Sequence, residues 1–187
     1  MGNDVIRLCD SWFAGSAWFQ RTHIKAARRT IGLYYPVVHI SERQIIVSDR
    51  KRVLILCTGN SARSQMAEGL LRHDAGDQFD VVSAGVEPTK VRPLAIAAMQ
   101  EAGIDISGQR SKSVEEFAGQ EFDYVITVCD NANQQCPMFP GKTRRIHWSI
   151  EDPAAAVGNE EERLNVFRRI RDELRDKLRE FVATGGR

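Results

Sequence analysis

The chain has 187 residues, with 26 Lys and Arg against 25 Asp and Glu for a formal net charge of +1. That length suits one α/β domain with a full core and roughly fifty residues left over, and a near-neutral charge gives no reason to expect nucleic acid or an anionic membrane as a partner. No apolar run approaches the ~20 residues of a membrane helix, and the four cysteines fit thiol chemistry in a reducing cytoplasm better than a structural disulfide framework.

Residues 1–50 do not share the pattern of the rest. Trp12, Phe13, Trp18, Phe19, Tyr34 and Tyr35 are strewn among Arg21, Lys25, Arg28 and Arg29 without a period. The basic residues interrupt any apolar core, so the segment does not read as a signal peptide. It is expected to be a poorly ordered N-terminal appendage, with Val47-Ser48-Asp49-Arg50 a natural start for the domain at 51–187.

That domain opens on Val53-Leu54-Ile55-Leu56, a short apolar run that suits a strand buried on both faces of a parallel sheet. The run stops at Cys57, passes through Thr58-Gly59-Asn60-Ser61-Ala62, and reopens at Arg63 and Ser64. Apolar residues at helical spacing from Ser64 to Arg72 place a helix N-terminus there. Free backbone N–H groups and the helix dipole then favour an anion, and Gly59 is expected to let the backbone curl around it. The same field should lower the pKa of Cys57 and make it a nucleophilic thiolate. Arg63 supplies a planar fork matched to two oxygens of a tetrahedral oxyanion, and Ser64 can donate a hydrogen bond to the sulfur. Without strand, glycine and helix in register, the pair would read as a buried cysteine beside a surface arginine.

Further along, Phe79 to Val86 reads as a second strand, and Pro93 opens a helix through Ala97, Ala98 and Met99 that Gly103 terminates. Tyr124 to Cys129 is a third strand and Arg144 to Trp148 a shorter fourth. The polar segment Asp130 to Gln135 between them could loop or wind as a short helix. Asn159 with Glu162 makes a capping box for a helix whose Leu164, Phe167, Ile170, Leu174, Leu178 and Phe181 form a core stripe. Strand and helix signals in alternation predict a three-layer α/β fold, a four-stranded parallel sheet with helices on both faces.

In such a sheet the ligand crevice lies beyond the carboxyl ends of the strands, which puts Cys57 and Cys129 near one crevice. Cys136 follows Cys129 by seven positions, a spacing that is neither a CxxC pair nor a zinc knuckle. Asp152-Pro153 taken alone is a common turn dipeptide. His73 and His147 lie at no spacing that resembles a metal-ligand set, so no metal is expected.

Cys57 to Ser64 matches the Cys-x5-Arg-Ser signature of the low-molecular-weight protein tyrosine phosphatase superfamily. From about Arg52 to Arg187 the chain resembles the thiol-coupled arsenate reductases built on that fold, and Cys-Thr-Gly-Asn-Ser is typical of that branch. The resemblance implies that Thr58, Gly59, Asn60, Ser61, Ala62, Arg63 and Ser64 cradle arsenate, with phosphate or sulfate as analogues. It makes Cys57 the nucleophile, Asp152 the general acid, and Cys129 and Cys136, which Pro137 follows, the resolving thiols. A Cys57–Cys129 disulfide would form first and pass to Cys129–Cys136, which an external dithiol, thioredoxin or a glutaredoxin-like protein, would reduce. The implied protein is a cytoplasmic monomer for arsenic detoxification with no bound cofactor.

Two departures from the branch bear on that reading. Some arsenate reductases bind potassium through residues equivalent to Asn60, Glu68 and Ser83, but their aspartate is Lys112 here, so a lysine ammonium is expected in the cation's place. Ala62 stands where close relatives carry a further, non-catalytic cysteine. The alternatives are a phosphatase for phosphotyrosine or small phosphate esters, using Cys57, Arg63 and Asp152 unchanged, and an oxyanion-binding module without turnover. The cysteine pair is superfluous to the former, and Ala154-Ala155-Ala156 replaces the aromatic side chains that tyrosine phosphatases offer their substrate. Asp152 speaks against the latter.

Overall fold

The central strand β1, Lys51–Cys57, owes its position to the apolar run at its middle: Val53, Leu54, Ile55 and Leu56 are all 0% exposed. Only a strand flanked on both edges and covered on both faces reaches that state. This is a computed structural model in which residues 50–186 are described, so the appendage inferred for residues 1–50 lies outside them apart from its last residue. β1 pairs in parallel with β2 (Phe79–Gly85) on one side and with β3 (Tyr124–Thr127) on the other, and β3 pairs in parallel with β4 (Arg144–His147). The resulting order is β2-β1-β3-β4.

Helix α1 (Arg63–Ala75) carries the chain from β1 to β2, and α3 (Asp130–Gln134) carries it from β3 in the opposite direction to β4. Parallel connections are right-handed, so this reversal sets the two helices on opposite faces of the sheet. It also opens a crevice between the carboxyl ends of β1 and β3, where the strand order switches. Helix α2 (Pro93–Glu101) starts at its proline and is stopped by Gly103 in the left-handed region at φ +77°.

Helix α4 (Glu160–Ala183) begins as its sequence dictates: Asn159 Oδ1 accepts the Glu162 N–H at 2.9 Å and Glu162 Oε2 accepts the Asn159 N–H at 2.8 Å. Phe167, Ile170, Leu174, Leu178 and Phe181 are buried along its inner face. Phe181 packs on Phe79 and Tyr124 with ring centroids 5.3 and 5.1 Å away, a contribution of about 1.5–3 kcal/mol for each side chain so buried. Among the described residues no helix is long and apolar enough to cross a membrane.

Three strands stop earlier than the sequence pattern suggests: β2 ends at Gly85, β3 at Thr127 and β4 at His147. Val128 still donates to Leu56 O at 2.9 Å, but Cys129 turns away to become the residue preceding α3. The polar segment after it is therefore helical, the second of the two conformations its composition allowed.

Candidate active site

β1 delivers Cys57 to the crevice, and the chain turns back through residues 58–62 into α1 at Arg63. The tight point of this turn is Asn60, which sits at φ 45°. Asparagine tolerates the left-handed region better than other side chains. Gly59, to which the sequence assigned that role, serves through its size, because a Cβ there would lie 3.3 Å from both Ser61 Oγ and Thr89 Oγ1. Gly85 is required by a closer approach, since a Cβ would stand 2.6 Å from Thr58 O and 2.8 Å from Asn60 N, backbone atoms that have nowhere to go.

Gln65, Ser111 and the Lys112 backbone hold Asn60 in place. Its carbonyl accepts from Gln65 Nε2 at 3.0 Å and Ser111 Oγ at 2.7 Å, and its Oδ1 accepts from Gln65 Nε2 at 2.9 Å and the Lys112 N–H at 2.7 Å. Gln65 and Ser111 were not legible as site residues: Gln65 sits inside a helix pattern, and Ser111 has no signal in the sequence. Of the loop residues assigned to the oxyanion, Thr58, Gly59 and Ser61 are partly exposed. Asn60, Ala62, Arg63 and Ser64 are buried, and the Asn60 side chain faces into the protein.

The Cys57 sulfur accepts the Asn60 N–H at 3.1 Å and lies 2.9 Å from Ser64 Oγ. Asn60 Nδ2 donates to Ser64 Oγ at 2.9 Å and to Ser83 Oγ at 2.8 Å, which leaves the Ser64 hydroxyl proton free to point at the sulfur. Ser83 in turn donates to Glu68. These contacts and the Arg63 charge draw the thiol toward ionisation, but burial outweighs them and pushes the Cys57 thiol up. The depressed pKa expected for Cys57 from the sequence is thus corrected: burial raises it instead.

Arg63 explains part of this. Its Nη1 donates to Ile150 O at 2.9 Å and its Nη2 pairs with Asp152 Oδ2 at 3.3 Å, so its charge is shared with the acid. Asp152 precedes the short 3₁₀ turn Pro153–Ala155, and its Oδ1 accepts the Ala154 N–H at 3.1 Å. The structure therefore ties Asp152 to Arg63, the last residue of the Cys57 loop signature but one.

Cys129 meets the same loop from β3, 3.4 Å from Thr58 Oγ1, which also accepts from Asn131 Nδ2 at 3.1 Å. Thr58 thus faces the second cysteine as well as the crevice. Cys136 lies beyond the far end of α3, half-buried, with its thiol donating to Pro137 O at 3.6 Å and burial pushing its pKa up. Among the described residues the three cysteines, Cys57, Cys129 and Cys136, are free. Wound α3 separates Cys129 from Cys136 by about 10 Å at the α-helical rise, more than the ~7 Å a disulfide spans. Cys57, Arg63, Asp152 and Cys129 gather in one crevice, and Cys136 stands outside it.

Under the loop Glu68, 3% exposed, accepts from Lys112 Nζ at 3.2 Å, from Arg72 Nη2 at 2.6 Å and from Ser83. The Lys112 ammonium thus joins the network of Asn60, Glu68 and Ser83. Among the described residues no group of three or more His, Cys, Asp or Glu side chains is placed to hold a metal ion.

Residues 52–185 match the family Low molecular weight phosphotyrosine protein phosphatase. The chain is 47% identical over 137 residues to an arsenate reductase of Halalkalibacterium halodurans, covering 73% of this chain and 99% of that protein. Among solved structures it is similar to an arsenate reductase in the phosphate binding state, with TM-score 0.57, 34% identity, and 72% and 98% of the two chains covered. It is also similar to a thioredoxin-dependent arsenate reductase of Corynebacterium glutamicum, with TM-score 0.56, 30% identity, and coverage of 74% of this chain and 63% of that one. The chain belongs to the low molecular weight phosphotyrosine protein phosphatase family and, within it, to the arsenate reductases.

Proposed function

We propose that this protein reduces arsenate to arsenite with Cys57 as nucleophile and Cys129 and Cys136 as a disulfide relay. The observation that carries the reading is Cys129 at the lip of the anion loop, 3.4 Å from Thr58 Oγ1, because ester hydrolysis has no use for a second thiol there. Similarity to a thioredoxin-dependent arsenate reductase supports the choice of reductant.

Arg63 is held by Asp152 and Ile150. An arsenate dianion entering the loop competes for the guanidinium fork and releases the Asp152 carboxyl to carry a proton to the departing oxygen. The Cys57 S–As bond forms as the As–OH bond of hydrogen arsenate breaks, and the thiol proton passes by way of the Asp152 carboxylate to the departing hydroxyl, which leaves as water. Cys129 attacks the Cys57 sulfur, the S–As bond breaks, and its electron pair departs with arsenic as arsenite, which takes up the Cys129 proton. Sulfur is thereby oxidised to the Cys57–Cys129 disulfide while arsenic(V) becomes arsenic(III). Cys136 displaces Cys57 from Cys129, and an external dithiol reduces Cys129–Cys136. No bound cofactor is required. The reading places the enzyme in the cytoplasm, as a monomer in arsenic detoxification.

The test is arsenate-dependent oxidation of reductant, run in parallel with thioredoxin, glutaredoxin and small thiols. Turnover with thioredoxin is expected. Hydrolysis of aryl phosphate with no arsenate-dependent oxidation by any of the three would replace this reading with a phosphatase.

A further inference from the structure

His147 is the last residue of β4, and the relay as described does not use it. Its Nε2 lies 3.0 Å from Asp130 Oδ1 and its Nδ1 lies 2.8 Å from Thr127 Oγ1. Thr127 Oγ1 is also 3.3 Å from Asn133 Oδ1. One imidazole therefore ties the ends of β3 and β4 to the first residue of α3, and with the ring protonated the Thr127 hydroxyl extends the tie to Asn133 further along the same helix. That helix is the segment that separates Cys129 from Cys136.

The protons fit in either charge state of the ring. A neutral imidazole donates from Nε2 to the Asp130 carboxylate and accepts the Thr127 hydroxyl at Nδ1. A protonated ring donates from both nitrogens, and the Thr127 hydroxyl then turns to Asn133. Asp130 is held in both cases. Hydrogen bonds from Ser149 and His147 keep its carboxyl below the usual range, so the acceptor is an anion.

We propose that His147 is a positioning residue for arsenate reduction: by holding Asp130 and Thr127 it keeps α3 wound, seats Cys129 against Thr58, and lets go when Cys129 and Cys136 bond. This rests on the relay reading above. Cys136 loses its proton to solvent and its thiolate attacks the Cys129 sulfur. The Cys57–Cys129 bond breaks, and Cys57 leaves as a thiolate that takes up a proton, with no net oxidation. At the helical rise across α3 the Cα atoms of the two cysteines stand beyond disulfide reach, and Asp130, the immediate neighbour of Cys129, has to move when they bond. The contact favours the reduced pair and opposes the disulfide.

The test compares the reduced full chain with His147→Ala, Asp130→Asn and the double variant. Backbone amide exchange across Asp130–Gln134 is expected to rise about tenfold in each single variant, the scale of one charge-assisted hydrogen bond. Because both changes break the His147–Asp130 contact, the double variant should gain less than the sum of the two singles. His147→Gln, which keeps a donor for Asp130, should fall between. At equilibrium with glutathione, the Cys129–Cys136 disulfide of His147→Ala should be favoured about tenfold more than in wild type, and single-turnover arsenite release should slow. Inorganic phosphate should still protect Cys57 from alkylation, which marks an intact anion loop. Unchanged exchange in α3, or exchange raised equally across the domain with phosphate protection lost, overturns the proposal. Absence of a Cys129–Cys136 disulfide in the wild type after arsenate treatment overturns the relay instead, and amide exchange then still decides whether His147 holds α3.

Discussion

Cys57 stands between burial, which favours the thiol, and the Ser64, Asn60 and Arg63 groups, which favour the thiolate. Burial is stronger, so alkylation of the free enzyme should rise with pH through a midpoint above the ordinary thiol value of about 8.5. Ser64→Ala should move that midpoint higher, since it removes the largest lowering influence. The sign for stability is the same: an acid whose pKa is raised by folding stabilises the fold below its unfolded pKa, and that contribution is lost as pH climbs through the folded value. A midpoint below about 7 in anion-free buffer would contradict this. Arg63→Lys exchanges a fork for a point charge and should raise the KM for arsenate roughly tenfold or more, read by steady-state kinetics. The identities of Cys57 and Arg63 were legible from strand, glycine and helix in register. The resting charge was not, because it depends first on how deeply the folded chain buries the sulfur, which the local pattern does not show.

At the scale of elements, apolar patterning predicted the four strands and the capping box predicted where α4 starts. The ends of β2 and β3 were missed because they are set by the anion loop, which approaches Gly85 and draws Cys129 toward Thr58. Gly85→Ala tests that packing. The new methyl would meet backbone at 2.6 Å, so the loop has to shift, at about 1–3 kcal/mol in stability. Arsenate turnover should fall at least tenfold, about what a loop displaced from its working geometry loses. Wild-type kinetics in Gly85→Ala would show that the loop position is not fixed by this contact. The helical state of α3 was one of two open readings, since Asp130 to Gln135 has turn-like composition and its tertiary partners, His147 and Thr58, are remote in sequence.

For the whole molecule, the buried network beneath the loop ties α1, β2 and the segment at Lys112 into one unit. Lys112→Met leaves the buried Glu68 carboxylate with one cation fewer and should cost about 1–3 kcal/mol, measured by urea unfolding. The family match spans residues 52–185, and we propose that a chain beginning at Val47 retains full arsenate reduction. A loss of kcat on that truncation would assign residues 1–46 a part in the reaction. The central claim is the relay, and Cys136→Ser tests it most directly in a single turnover without reductant. About one arsenite per enzyme is expected, since one Cys57–Cys129 disulfide accounts for one two-electron reduction, with mass spectrometry locating that bond and thioredoxin failing to restart the enzyme. Sustained turnover of Cys136→Ser at the wild-type rate, or arsenite release with Cys57 and Cys129 both still free, would contradict it.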